Sequence, residues 1–553
     1  MTSYADLIIT NARVITVDPQ NPHAEAVGVT GNRISYVGSA KDAKDWCGPR
    51  TRIVDAQGCT LMPGFIDSHF HLRIGSAELG NIPLENVKSF EDLKIAILDF
   101  SQEHSDDLWI TGSHLNYDIM PGSERLSRHH LDTIISDRPI ALMAFDYHTM
   151  WVNTLALEMA GILHGGKTGP NSEIVMGPDG LASGELREPA AYGKVLALTG
   201  VWGRAMSSLT GVPMNKGLPY DEGQERILLR KGLTLANRVG ITSVHNMDGN
   251  LEQIRLYKTL EEAGELTVRV YIPLSVRPES QPEALAEAVA MREEYNTGMV
   301  HSGFVKFFMD GVIESWTALL LDDYTDKSGW CGYANYSLEY FTQMAVASDR
   351  LGLQISVHAI GDGAVRRALD GFEAVCRING IRDSRHRIEH IELIHPEDLS
   401  RFTELGVIAS MQPLHAMGST TETSIWSMRV GSDRWQWGFA WQTIRQAGAR
   451  LIFGSDWPVV SQNPMLGLHA ALNRKPLAPG LPDQRQSLMD AIASYTTDAA
   501  YAEFQEHQKG QICPGMLADL VLLSDDLTAV SPEDLSEISA VMTICDGRIV
   551  YEV

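Results

Sequence analysis

Cysteine is scarce and scattered in this chain of 553 residues: Cys47, Cys59, Cys331, Cys376, Cys513 and Cys545 are the six, and no two form a Cys-x-x-Cys pair. That spacing excludes a thiolate zinc site and a disulfide framework. Long hydrophobic runs are missing too. The first residues, Met1 to Thr10, hold no basic stretch followed by an apolar core. Neither a membrane span nor a secretory signal is therefore expected, and a reducing cytoplasm is the default location. Positive charge is in deficit, with 45 Lys and Arg against 70 Asp and Glu, a formal charge of −25. The cations are spread out rather than clustered, which excludes a polyanion partner such as nucleic acid and gives no handle for a membrane surface. We read the acidity as solubility. The partner expected is a small-molecule substrate, and the sequence leaves a homodimer open.

What is present falls into two textures. Residues 5 to 62 read as short strands, Leu7-Ile8-Ile9, Arg13 to Val17, Ala26 to Val29, Arg33 to Val37 and Thr51 to Val54, broken by turn residues at Asn11-Ala12, Asp18 to Pro22 and Gly31-Asn32. The same texture returns after residue 503, where Asp546-Gly547 between apolar runs signals a hairpin. Each end has too few strands to stand alone, so the termini are expected to meet as one discontinuous β-sandwich, 1–62 with 504–553. Between them, apolar strands alternate with helical segments such as Ile227 to Val239, Tyr340 to Leu351 and Ala364 to Cys376. Repeated alternation implies parallel strands covered by helices, and this many units imply an α/β fold, a (β/α)8 TIM-like barrel over 63–503. The stretch from about 75 to 220 is too long for one crossover. It reads as an insertion with long loops, Gly- and Pro-rich from Gly161 to Gly217 yet retaining Trp151, Tyr192 and Trp202.

The strand Pro63-Gly64-Phe65-Ile66-Asp67-Ser68-His69-Phe70-His71 carries the first chemical signal. Side chains alternate along a strand, so His69 and His71 point the same way, half of a metal site. Alone, the pair also fits two incidental polar residues at a strand end. Further candidates fall at barrel strand ends, where chemistry belongs: Lys306, His358, His390 and Asp456. Singly, His358 and His390 read as hydrogen-bonded core histidines and Asp456 as a helix cap. Lys306, set between Phe304 and Phe308, must be paired, neutral or modified if it points into a barrel. Together, four imidazoles, a carboxylate and an interior lysine form the parts list of a two-metal hydrolase.

The order of these motifs resembles the amidohydrolase superfamily, specifically the amidohydrolase family 3 branch described as YtcJ-like, which includes N-substituted formamide deformylases. The likeness rests on Pro63 to His71, Asp146 to Leu157, Gly240 to His245, Val305 to Gly311, Val357 to Asp362, Arg387 to His390, Phe453 to Val459 and Gly515 to Leu520. It implies that His69 and His71 hold one divalent metal, zinc in the first instance, and that His358 and His390 hold a second. It implies that Lys306, carboxylated by carbon dioxide, bridges the two, and that Asp456 binds the first metal and faces the bridging hydroxide.

The reaction expected is hydrolysis of a carbon-nitrogen bond in a non-peptide amide by metal-bound hydroxide, with Asp456 carrying the proton to the leaving nitrogen. His148 and His245 are expected as substrate or oxyanion contacts, though both also read as structural histidines at strand ends. The same site acting on a lactone, a cyclic imide or a carboxylate by decarboxylation is the alternative, and a non-catalytic binding barrel the second.

Overall fold

The computed structural model describes residues 4–168, 172–211, 221–419 and 424–553. The chain divides into two compact units, Met1–His71 with Leu233–Val553, and Leu72–Gly232. Of the Gly- and Pro-rich run from Gly161 to Gly217, positions 169–171 and 212–217 lie outside the described residues.

The first unit contains an eight-stranded parallel sheet: β1 (Phe65–Phe70), β2 (Ile241–Asn246), β3 (Arg269–Ser275), β4 (Val300–Phe308), β5 (Gln354–Ala359), β6 (Arg387–His390), β7 (Ile408–Met411) and β8 (Leu451–Phe453). Each strand pairs with its successor in chain order, as strands separated by covering helices must. The last strand returns to the first at their C-terminal ends. There the Asp456 amide donates to the His69 carbonyl at 2.7 Å and the His71 amide to the Trp457 carbonyl at 2.9 Å. This nearly closed barrel is the expected fold.

Closure at this point needs a glycine. A Cβ on Gly454 would lie 2.4 Å from the His69 nitrogen and 2.8 Å from its Cβ, so only a residue without a side chain lets β8 approach β1 this closely.

The two ends of the chain pair directly. Thr60–Pro63 lies between Arg13–Ile15, which it meets in parallel, and Leu520–Leu523, which it meets antiparallel. A six-stranded sheet built on this pair and a four-stranded sheet from residues 7–55 enclose a core of Ile9, Val14, Val27, Leu61, Leu520 and Ile544. The hairpin signal holds: Asp546 and Gly547 take positive φ, 53° and 73°, between Ala540–Cys545 and Arg548–Glu552. Such a turn matches the twist of the strands it joins.

The Leu72–Gly232 unit has its own six-stranded sheet, running from Glu173–Met176 through Thr149–Val152 to Ile82–Pro83. Trp151, Tyr192 and Trp202 are buried in it, which supplies the apolar burial an independent unit requires. No helix among the described residues is long and apolar enough to cross a membrane.

Candidate metal centre

The C-terminal ends of the barrel strands bring the four predicted imidazoles together. His69 and His390 have ring centroids 4.7 Å apart, His358 and His390 4.4 Å, and His69 and His71 5.5 Å. Asp456 completes the group: its Oδ1 lies 3.3 Å from His69 Nε2 and 3.2 Å from His71 Nε2. Ligand atoms of His69, His390 and Asp456 all fall within 4.8 Å of one another.

Backbone strain re-aims two of these residues. Arg387 and Glu389 share the interior face of β6, so alternation alone would turn His390 outward. Its φ of 74°, followed by 50° at Ile391, turns the imidazole back to the cluster; Asp456 has φ 64°. Non-glycine residues pay for such conformations, and they concentrate where function requires a particular aim.

Each histidine is oriented by a partner. His69 Nδ1 is 2.8 Å from Glu389 Oε2 and His71 Nδ1 is 2.7 Å from Asp248 Oδ1. A proton shared with a carboxylate at Nδ1 leaves the Nε2 lone pair free, and both Nε2 atoms face Asp456. His358 is reversed: its Nε2 lies 3.2 Å from the Gly311 carbonyl, an acceptor that keeps the proton there and frees Nδ1. His390 Nδ1 is buried with no hydrogen-bond partner among the described residues.

Lys306 is fully buried, and its Nζ, 4.9 Å above the Phe308 ring, likewise has no hydrogen-bond partner among the described residues. Burial pulls its pKa down to about 8. Burial also pulls His69 to about 4 and His358 to about 3, so both are neutral, as ligands must be. Burial works against charge on His71 as well, but hydrogen bonds to Asp248 and Asp456 outweigh it and lift it to about 9, so a metal binding at its Nε2 would displace the proton shared with Asp456. For Asp456, burial is outweighed by His69, His71 and His415, which hold the carboxyl well below the usual range. Converging lone pairs, one anion and two buried nitrogens without partners fit a divalent cation.

Several residues of the centre had no signal in the ligand pattern. Asp248 follows β2 by two residues, and Glu389 sits inside the Arg-Ile-Glu-His run but reads there as a strand residue. His415 stacks parallel on His390 at 5.8 Å, with Nε2 3.6 Å from Asp456 Oδ2 and Nδ1 3.7 Å from Glu392 Oε1. Its one signal is the run Gln412-Pro413-Leu414-His415 directly after β7.

The remaining two predicted residues are His245 and His148. His245 has no exposure; Arg387 donates to its Nδ1 at 2.8 Å and its Nε2 faces Glu503 at 3.3 Å. A ring enclosed between those groups supports Arg387, which is the structural role the sequence also left open for His245. His148 belongs to the Leu72–Gly232 unit, where its Nδ1 is held by Glu188 at 3.0 Å. Of the aromatic residues near 435–441, Trp441 is core, with its indole donating to the Gln484 carbonyl.

The comparison with known proteins accords with this geometry. A sequence profile described as the amidohydrolase family matches residues 52–551. The chain belongs to the amidohydrolase family. Putative amidohydrolase YtcJ of Bacillus subtilis is 27% identical over 98% of this chain and 98% of its own. N-substituted formamide deformylase of Arthrobacter pascens is 25% identical over 100% and 99%. The crystal structure of an uncharacterized metal-dependent hydrolase from Pyrococcus horikoshii superposes with a TM-score of 0.76, at 24% identity, over 95% of this chain and 99% of that one. The two sequence relatives are similar along nearly the whole chain, and the solved structure shares its fold.

Outer partners of metal-bound histidines are worth about 10–100-fold in metal affinity. Asp248→Asn should therefore weaken metal binding by about that factor, measured by competition with a chromophoric chelator. Unchanged affinity would show that His71 is not a ligand or is held by something else.

Proposed function

We propose that this amidohydrolase is a metal-dependent enzyme that hydrolyses the carbon-nitrogen bond of a small non-peptide amide. The observation that carries the reading is the convergence of His69, His390 and Asp456, flanked by His71 and His358, in a barrel whose interior holds a buried lysine with no hydrogen-bond partner among the described residues. Zinc suits this set of imidazole and carboxylate donors. When bound, such an ion supplies Lewis acidity, which polarises a carbonyl oxygen and lowers the pKa of water.

The chain's own residues do the rest. His69 and His71 would bind through Nε2, because Glu389 and Asp248 occupy their Nδ1 positions. His358 would bind through Nδ1 with His390 beside it. Lys306, lowered by burial to about 8, has enough neutral amine to add carbon dioxide and release a proton. The carbamate formed replaces a costly buried cation with an anionic ligand. Asp456 accepts the proton of the attacking water and returns it to the leaving nitrogen; no second carboxylate lies so close to His69 and His71 Nε2 among the described residues.

Protein purified without chelator should contain a divalent metal, and the native mass should show Lys306 heavier by one carbon dioxide. The zinc-loaded protein, tested side by side on formamides, N-acyl amino acids and lactones, should turn over an amide, lose activity to chelator and regain it with zinc. A folded, metal-free protein inert on all three classes would instead mark a binding barrel, and turnover of lactones alone would move the reaction to a carbon-oxygen bond.

A further inference from the structure

Gln412 is the group this account leaves unused. It is 2% exposed, and neither its Oε1 nor its Nε2 has a hydrogen-bond partner among the described residues. Buried carboxamides are normally satisfied, because one left unpaired carries its full desolvation penalty. This one follows β7 directly, at the end of the barrel where the metal centre lies.

The direction of its side chain follows from the strand. Ser410, two residues earlier, accepts a hydrogen bond from Arg387 at 2.9 Å, and Arg387 holds Glu389, which holds His69. Ser410 therefore faces the barrel interior, and alternation puts Gln412 on the same face one layer nearer the site. Residues on either side of it lead to the cluster. The Met411 carbonyl accepts from Gly454, the residue that packs on His69. His415, three residues on, approaches Asp456 Oδ2 at 3.6 Å.

We propose that Gln412 is a substrate-binding residue that pairs edge to edge with an amide whose C=O and N–H lie on the same side: a primary amide, a lactam or a cyclic imide. A carboxamide presents one acceptor and one donor side by side, and Nε2 donating to the substrate carbonyl while Oε1 accepts its N–H satisfies both. An open-chain secondary amide in the trans form turns these groups to opposite sides and satisfies one only. The inference rests on the amide-hydrolase reading and narrows its substrate class.

The test separates the two. Binding is measured by calorimetry on zinc-loaded Asp456→Asn protein, in which turnover is suppressed, with 2-piperidone against N-methyl-2-piperidone and benzamide against N,N-dimethylbenzamide. The N–H partner of each pair should bind about 10–100-fold more tightly, since methylation removes one hydrogen bond and blocks a second. Adding Gln412→Met, nearly isosteric and apolar, should abolish that preference. Gln412→Met in the otherwise native chain should melt at the same temperature or a few degrees higher, because it removes an unpaired buried amide. Absence of the preference before Gln412 is changed, its survival in the double variant, or a clear fall in melting temperature would each overturn the proposal. Turnover of the same amides by the native zinc-loaded protein is scored separately. Binding with the predicted preference but no turnover of any amide would refute the hydrolytic reading and leave the subsite standing.

Discussion

Replacing Asp456 by asparagine is expected to lower turnover about 10²–10⁴-fold, the range a general acid-base group contributes. The substitution keeps the shape and one oxygen while removing the capacity to accept and return a proton. Asp456 occupies a place no other carboxylate shares among the described residues: Oδ1 faces two histidine Nε2 atoms and Oδ2 faces His415. Those three imidazoles favour its ionised form against the burial penalty. The local backbone need not be rebuilt in the variant, because the hydrogen bond from the main-chain amide of Asp456 to the His69 carbonyl does not involve the side chain. Metal content should fall only modestly, and the melting temperature should stay within a few degrees. The measurements are kcat, bound metal per chain and thermal unfolding on one preparation. Near-native kcat would remove the proposed proton carrier; loss of metal in proportion to activity would make Asp456 a ligand with no separate chemical role.

The clustering of His69, His71, His358, His390 and Asp456 could be anticipated because each lies at or just beyond the C-terminal end of a strand, and those ends are brought together by the topology of a parallel barrel. His69 and His71 could be paired from alternation alone. His390 could be named but not aimed, since its direction depends on a positive φ that no residue type in Ile388 to Glu392 announces. The interior of the barrel was less legible still. Arg387 and Glu389 lie on the strand Arg387–His390 and His245 on Ile241–Asn246, and the pairing of these polar groups makes sense only once strands 142 positions apart in sequence are side by side. His245 is an example: its strand-end position left a substrate contact and a structural role equally open, and its neighbours, Arg387 and Glu503, come from β6 and from near the C-terminal end of the barrel sequence. Gln412 and His415 lie just past β7, as Asp456 lies past β8, but neither belongs to a motif that named a ligand.

The second large effect is expected at Arg387, which is fully buried and donates to Glu389 Oε1 at 2.5 Å, to His245 Nδ1 at 2.8 Å and to Ser410 Oγ at 2.9 Å. Burial alone would raise the Glu389 carboxyl, and the guanidinium is the largest influence opposing it, with the result that Glu389 is held well below the usual range. Arg387→Met leaves that carboxylate buried with His69 and Ser356 as its remaining partners. Breaking a buried pair from one side costs about 3–5 kcal/mol. The metal-free protein should show that loss in its denaturation midpoint. It should also bind metal more weakly, since a Glu389 free to take up a proton no longer fixes the His69 tautomer. Adding Glu389→Gln should recover part of the stability, because the uncompensated charge is gone, while leaving metal affinity low. The cycle of single and double variants isolates this coupling. Additive losses would mean that Arg387 and Glu389 act independently, and the chain of contacts from the barrel interior to His69 would then carry no energy to the metal centre.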